Sequence, residues 1–88
     1  MIFRVRYERD AQRFLKKTAR YTAGIIISWI EENLERCEDP RAHGKGLTGQ
    51  RSGEWSYRLG DYRIIAEIHD SEGEILITTI NHRSKVYR

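Results

Sequence analysis

The chain has 88 residues, with 16 Lys or Arg against 13 Asp or Glu and a net charge of +3. This length accommodates one small hydrophobic core, so we expect residues 1–88 to form a single domain. The single cysteine excludes an internal disulfide, and no apolar run approaches the roughly 20 residues that span a bilayer. We therefore expect a cytoplasmic protein that does not associate with membranes.

Arginine supplies 12 of the 16 cationic side chains. A guanidinium group binds multi-oxygen anions such as phosphate through two parallel hydrogen bonds, whereas an ammonium group acts as a point charge. Together with the positive net charge, this bias favours nucleic acid or an acidic protein as the partner.

The first part of the chain predicts a strand and two helices. Apolar and basic residues alternate from Ile2 to Tyr7, which is typical of a half-buried strand. Helical spacing follows over residues 8–20, and it resumes from a cap at Thr22 up to a stop signal at Asp39-Pro40. Because few residues join the two helices, we expect them to pack as an antiparallel hairpin.

Residues 39–53 predict a loop, and three strands follow it at Trp55–Leu59, Tyr62–His69 and Glu74–Asn81. The two-residue turn Gly60-Asp61 makes the first two of these strands a hairpin. The order β-α-α-β-β-β predicts an α+β fold, in which the helix hairpin packs on one face of a largely antiparallel four-stranded sheet.

The hairpin register brings two arginines together. A two-residue turn places Leu59 opposite Tyr62 on the face beneath the helices, and Arg58 opposite Arg63 on the other face. Like charges directly opposite each other on adjacent strands cost about 0.2–1 kcal/mol relative to a neutral pair. Either the two guanidinium groups hold an anion such as phosphate, or they turn into water and pair with neighbouring carboxylates.

The C-terminal residues add further groups for chemistry on phosphate. If the last strand neighbours the Arg63 strand, one face collects His82, Arg83 and Tyr87 together with Arg58. This set suits metal-free RNA cleavage: a base takes the 2′-hydroxyl proton, guanidinium groups stabilise the dianionic phosphorane, and an acid protonates the leaving 5′-oxygen. Tyr87 could instead stack on a base, and the segment could also be a frayed tail.

Basic side chains of the loop and the tail are candidates for binding RNA phosphates. They are Arg41, His43, Lys45, Arg51 and Lys85. The three histidines lack the spacing of zinc ligands, so we expect neither a metal nor a cofactor.

Two motifs together resemble the RelE branch of the RelE/ParE toxin superfamily. They are residues 55–65 (WSYRLGDYRII) and residues 81–87 (NHRSKVY), and residues 39–47 also resemble the loop before that hairpin. The resemblance covers essentially the whole chain. It implies a microbial-ribonuclease-like fold and a type II toxin that enters the ribosomal A site, formed by 16S rRNA, and cuts translated mRNA without a metal. It also implies a cognate antitoxin that neutralises the toxin and often binds operator DNA with it.

The resemblance also implies roles for individual residues. Arg63 matches a transition-state stabiliser, Arg83 matches the arginine that contacts the scissile phosphate, and Tyr87 matches a tyrosine that stacks on or activates the nucleotide. His82 matches a histidine that many members carry, and Arg58 falls where the best-studied branch has a lysine.

That branch has a second lysine where this chain has Ser56. The general base therefore stays open among His82, Tyr87, Lys45 and His43.

Three other functions fit parts of the sequence. A ParE-like DNA gyrase inhibitor would cleave no RNA, although Val86-Tyr87 after His82-Arg83 favours the RelE side. A catalytically degenerate toxin would act mainly as an antitoxin-bound co-repressor. A small RNA-binding domain that stacks bases is disfavoured, because the aromatic residues are predicted to point into the core.

Overall fold

The computed structural model describes residues 1–86, and it describes side chains up to residue 84. The helices and strands, in chain order, are β1 (Arg4–Tyr7), α1 (Arg9–Lys17), α2 (Arg20–Asn33), β2 (Lys45–Gly46), β3 (Trp55–Leu59), β4 (Tyr62–His69), β5 (Glu74–His82) and α3 (Arg83–Val86). The strands form one sheet in the order β1-β5-β4-β3-β2. β1 runs parallel to β5, and the other neighbours are antiparallel.

The α+β fold and the hairpin register are confirmed, but the sheet has five strands rather than the predicted four. Within the predicted loop, Lys45 pairs with Ser56 and Gly46 pairs with Trp55, which makes β2 an edge strand. The sequence gives little signal for it, because a two-residue strand is too short to show alternation.

The helices cover one face of the sheet with a continuous core. Its buried members are Phe3, Ala11, Ile26, Ile30, Leu34, Tyr57, Ile64, Ala66, Ile75, Ile77 and Ile80. Neither α1 nor α2 covers the opposite face, which we call the open face. No helix within residues 1–86 combines the length and apolar character needed to cross a membrane.

The bounds of α2 differ from the prediction at both ends. The helix begins at Arg20 rather than after a cap at Thr22, and it ends at Asn33 rather than near Asp39-Pro40. After the helix, the chain pairs with the residue just before β1, where the Arg36 N–H donates to the carbonyl oxygen of Phe3 at 2.8 Å.

A β-bulge interrupts β5 at Thr78. Ile65 of β4 pairs with Thr79, while the next residue of β4 pairs with Ile77, so Thr78 is the extra residue. Its hydroxyl donates to the carbonyl oxygen of Ile65 at 3.2 Å. The bulge reverses the alternation of β5, so Ile77 and then Ile80 face the helices.

Candidate functional site

A row of polar side chains crosses the open face near the β3–β4 turn. Arg58 lies opposite Arg63, and Arg63 lies opposite Asn81 on its other side. Directly opposed residues of a sheet point to the same face, so the two guanidinium groups and the Asn81 amide are neighbours. We call Arg58, Arg63 and Asn81 the arginine row. Arg58 is exposed and Arg63 is half-buried, so the row can meet an anion from solvent.

A second row lies beside the arginine row on the same face. It runs from Lys45 through Ser56 and Ile65 to Thr79. Ser56 and Ile65 are each only 4% exposed. Two buried residues therefore lie beside the arginine row.

Arg83 directly follows β5 in the chain. In space it lies beside the β3–β4 turn, next to the residue that precedes β4. Its backbone N–H donates to the carbonyl oxygen of Asp61 at 2.7 Å, and its Nη1 lies 3.7 Å from Asp61 Oδ1. Both side chains of this ion pair are more than half exposed, and such pairs contribute little to stability. The Arg83 guanidinium can therefore turn toward an anion at the arginine row at small cost.

The expectation that His82 shares a face with the arginines is wrong. His82 lies opposite Tyr62, and their ring centroids are 5.2 Å apart in an edge-to-face contact. Tyr62 in turn contacts Phe14 of α1, so this pair lies on the helix side of the sheet. The cause is the bulge at Thr78, which turns His82 away from the open face and turns Asn81 onto it.

His82 has a structural role at the start of α3. The Ser84 N–H donates to His82 Nδ1 at 3.2 Å, and the Ser84 hydroxyl lies 3.0 Å from the same nitrogen. This contact satisfies an N–H group that the first turn of a helix leaves without an intrahelical partner. Because Nδ1 accepts the hydrogen bond, the proton of the neutral ring lies on Nε2.

The loop candidates contact other protein groups, with one exception. Arg41 forms two 2.9 Å hydrogen bonds to Asp70, which hold the pKa of Asp70 below its usual value. The ring of His43 contacts Trp29 of α2, and Arg51 Nε lies 2.6 Å from a Glu54 carboxylate oxygen. Lys45 is exposed, and no described side chain forms an ion pair with it.

Tyr87 and the side chain of Lys85 lie outside the described residues, so their predicted roles stay predictions. Sequence reasoning missed Asn81, since strict alternation along β5 would place it in the core. The only available signal is the Thr78-Thr79 pair, which interrupts an otherwise aliphatic strand.

A second cluster of titratable groups lies at the far end of β4. His69 is six residues from Arg63, or about 20 Å along the strand. Its Nε2 lies 3.1 Å from Glu67 Oε1, and its Nδ1 lies 3.0 Å from Glu74 Oε1. Glu74 also accepts a 2.6 Å hydrogen bond from Arg6 of β1. These contacts tie three strands together at the end of the sheet that is remote from the arginine row.

The fold is that of a known class of toxins. A sequence model described as the ParE toxin of type II toxin–antitoxin system, parDE, matches residues 5–87. The chain therefore belongs to this family, and the resemblance to the RelE/ParE superfamily is confirmed.

Particular relatives are RelE-like toxins. The chain is 30% identical to Toxin RelG of Mycobacterium tuberculosis over 88 residues, which are all of this chain and 99% of the relative. It is also similar to a chain of the toxin–antitoxin complex RelBE2 of Mycobacterium tuberculosis, at 27% identity and a TM-score of 0.85, covering 96% of this chain and 94% of the other. The isolated E. coli RelE toxin has the same fold, with a TM-score of 0.72 at 19% identity over 97% of this chain and 90% of the other.

Proposed function

We propose that this toxin is a metal-independent endoribonuclease that cuts messenger RNA in translating ribosomes. The observation that carries the proposal is the direct opposition of Arg58 and Arg63 on the open face. Like charges in this position destabilise a hairpin, so their presence is accounted for if they bind an anion. Arg83 at the adjacent turn supplies a third guanidinium group to the same end of the sheet.

Three guanidinium groups suit the transition state of RNA transesterification. Attack of the 2′-hydroxyl oxygen forms a bond to phosphorus, and the bond to the 5′-oxygen breaks. The phosphorane between these events carries two negative charges, against one on the ground-state phosphodiester. Cations fixed around the phosphate therefore stabilise the transition state more than the substrate. The products are a 2′,3′-cyclic phosphate and a 5′-hydroxyl.

The proton transfers need a group beside the arginine row. Arginine does not deprotonate in proteins, so the base comes from another residue. His82 and His43 are directed toward the helix side, which leaves Tyr87 and Lys45 of the original candidates. We assign Tyr87 to contact with the nucleotide, either as the base or as a stacking platform.

A cognate antitoxin and the ribosome are the proposed partners. The relatives include toxins solved in complex with their antitoxins, which supports an antitoxin for this chain. We propose that the toxin–antitoxin complex binds operator DNA, and that the free toxin acts in the cytoplasm, where mRNA is translated. A small domain with a net charge of only +3 attracts RNA weakly over long range, so the 16S rRNA of the A site is proposed to help hold it on the message.

The test is to map mRNA 5′ ends in cells shortly after the toxin is induced. We expect new 5′-hydroxyl ends within translated codons for the wild type, far fewer for Arg63→Ala and Arg83→Ala, and wild-type numbers for Arg9→Ala. Arg9 is a matched control because it is an exposed arginine of α1, on the helix side. A DNA-damage response without mRNA cuts would replace the proposal with inhibition of DNA gyrase.

A further inference from the structure

Lys45 lies on the same face as the arginine row. It is paired with Ser56, and directly opposed residues share a face. The side-chain position of the next residue, Gly46, points toward the Trp55 ring, because a Cβ atom there would lie 3.3 Å from Trp55 Cζ3. Trp55 packs against the helix-side core, so the alternation of β2 directs Lys45 to the open face.

The register also fixes how far Lys45 lies from Arg58. Arg58 follows Ser56 by two residues, so Lys45 and Arg58 are diagonal neighbours on adjacent strands. Diagonal neighbours are about 7–8 Å apart, which long side chains bridge. Lys45 therefore lies next to Arg58, at the β3 end of the arginine row, but one pair of residues further along the strands.

Several contacts hold β2 in this position. The hydroxyl of the fully buried Tyr57 donates to the carbonyl oxygen of Pro40 at 2.6 Å, and Trp55 Nε1 donates to the carbonyl oxygen of His43 at 2.6 Å. Gly44 has φ +76, and a Cβ atom there would lie 2.2 Å from the carbonyl oxygen of Ser56. The backbone can therefore approach β3 this closely only because residue 44 is glycine.

These contacts fix a strand that adds no buried side chain to the core. Both residues of β2 are exposed, so packing of the strand itself does not explain its anchorage. What the anchored strand presents is the Lys45 ammonium, whereas the guanidinium groups of Arg41 and Arg51 are held by Asp70 and Glu54. A fixed backbone beneath a charge that no described side chain neutralises is the arrangement that a binding site needs.

We infer that Lys45 binds a second backbone phosphate of the RNA, next to the phosphate held by Arg58 and Arg63. The choice of RNA as the ligand rests on the proposed function. The inference extends that function by setting the smallest well-bound substrate: an RNA segment with two consecutive phosphates. A protonated lysine suits this position because the second phosphate is only held, and it gains no charge during the reaction. This role takes Lys45 out of the candidates for the base and leaves Tyr87.

The test measures the binding of 2′-O-methyl RNA oligonucleotides, which cannot be cleaved, as a function of salt concentration. Each phosphate contact to a single strand contributes about 0.7 to the slope of log K against log salt. We expect Lys45→Ala to lower the magnitude of this slope by about 0.7 and Lys45→Arg to restore it. Lys16→Ala is the matched control, because it removes an exposed lysine of α1, and it should leave the slope unchanged. A wild-type slope for Lys45→Ala, or an equal loss for Lys16→Ala, overturns the inference.

Two further measurements separate the second phosphate from a general effect of charge. A dinucleoside monophosphate, which has one phosphate, should bind Lys45→Ala and the wild type equally. Gly44→Ala keeps every charge but displaces β2, so it should weaken oligonucleotide binding as Lys45→Ala does while leaving dinucleotide binding intact. Unchanged binding of the oligonucleotide by a folded Gly44→Ala variant counts against the inference.

The outcomes distinguish this inference from the proposed nuclease. If binding depends on Lys45 but induction of the wild type cuts no mRNA, the two-phosphate site stands and the nuclease proposal fails. If the wild type cuts mRNA while Lys45→Ala binds the oligonucleotide with wild-type affinity and salt dependence, the nuclease stands and the second-phosphate site is overturned.

Discussion

The imidazole of His82 packs against the ring of Tyr62 on the helix side of the sheet, at a centroid distance of 5.2 Å. A basic residue beside the strand that carries Arg63 is thereby removed from the proposed reaction. His82 instead accepts a backbone hydrogen bond at the start of α3, so its contribution is to the position of the C-terminal segment.

The first prediction concerns His82→Ala. Loss of the aromatic contact and of the cap should lower the free energy of unfolding by about 1–2 kcal/mol. Cleavage should fall less than tenfold, because no proton transfer is lost. The measurement combines urea unfolding with counts of mRNA 5′ ends. A loss of cleavage as large as that of Arg63→Ala, in a folded variant, would return His82 to the reaction.

The pairing of the two arginines can be predicted from the sequence, whereas the features that depend on the bulge at Thr78 cannot. The two-residue turn Gly60-Asp61 fixes the pairing of Arg58 with Arg63, because it leaves no freedom of register. The face of His82 does not follow, since one extra residue at Thr78 reverses the alternation of β5. The contact of β2 with β3 was also missed, because it depends on backbone contacts around Gly44 rather than on apolar side chains.

The second prediction is that Arg58→Gln stabilises the fold while impairing the function. Removing one of two opposed charges should raise the free energy of unfolding by about 0.2–1 kcal/mol. Loss of one cation that stabilises the phosphorane should lower cleavage by about 10²–10³-fold. Thermal unfolding at low and high salt measures the first effect, which should shrink at high salt because the repulsion is screened. A variant that is both less stable at low salt and fully active would contradict the assignment of Arg58.

The third prediction is that Tyr57→Phe loosens the segment that carries Lys45. Burial raises the pKa of Tyr57 well above its usual value, so its hydroxyl remains a donor at neutral pH. The variant leaves the carbonyl oxygen of Pro40 without this 2.6 Å hydrogen bond, which should cost about 1–3 kcal/mol of stability. Hydrogen exchange should become faster at residues 44–46, with little change in β4 and β5. Unchanged exchange at β2 would show that the hydroxyl does not hold it.

The fourth prediction is a pH dependence of stability that comes from His69. Hydrogen bonds to Glu67 and Glu74 raise the pKa of this imidazole above its ordinary value. A group whose pKa is higher in the folded state stabilises the fold fully below its unfolded pKa of about 6.5, and this stabilisation is lost as pH rises through the folded value. The free energy of unfolding should therefore fall as pH rises above about 6.5, and His69→Gln should flatten this dependence.

The control for this prediction is His43→Gln, which removes a histidine outside the carboxylate cluster and should leave that dependence in place. The measurement is urea unfolding at closely spaced pH values, at low and at high salt. The effect should weaken at high salt because the side chains of the cluster are only partly buried, so that salt can still screen them. Because His69 lies about 20 Å along β4 from Arg63, His69→Gln should leave RNA binding at the arginine row unchanged. An unaltered pH dependence in His69→Gln would assign the titration to other groups.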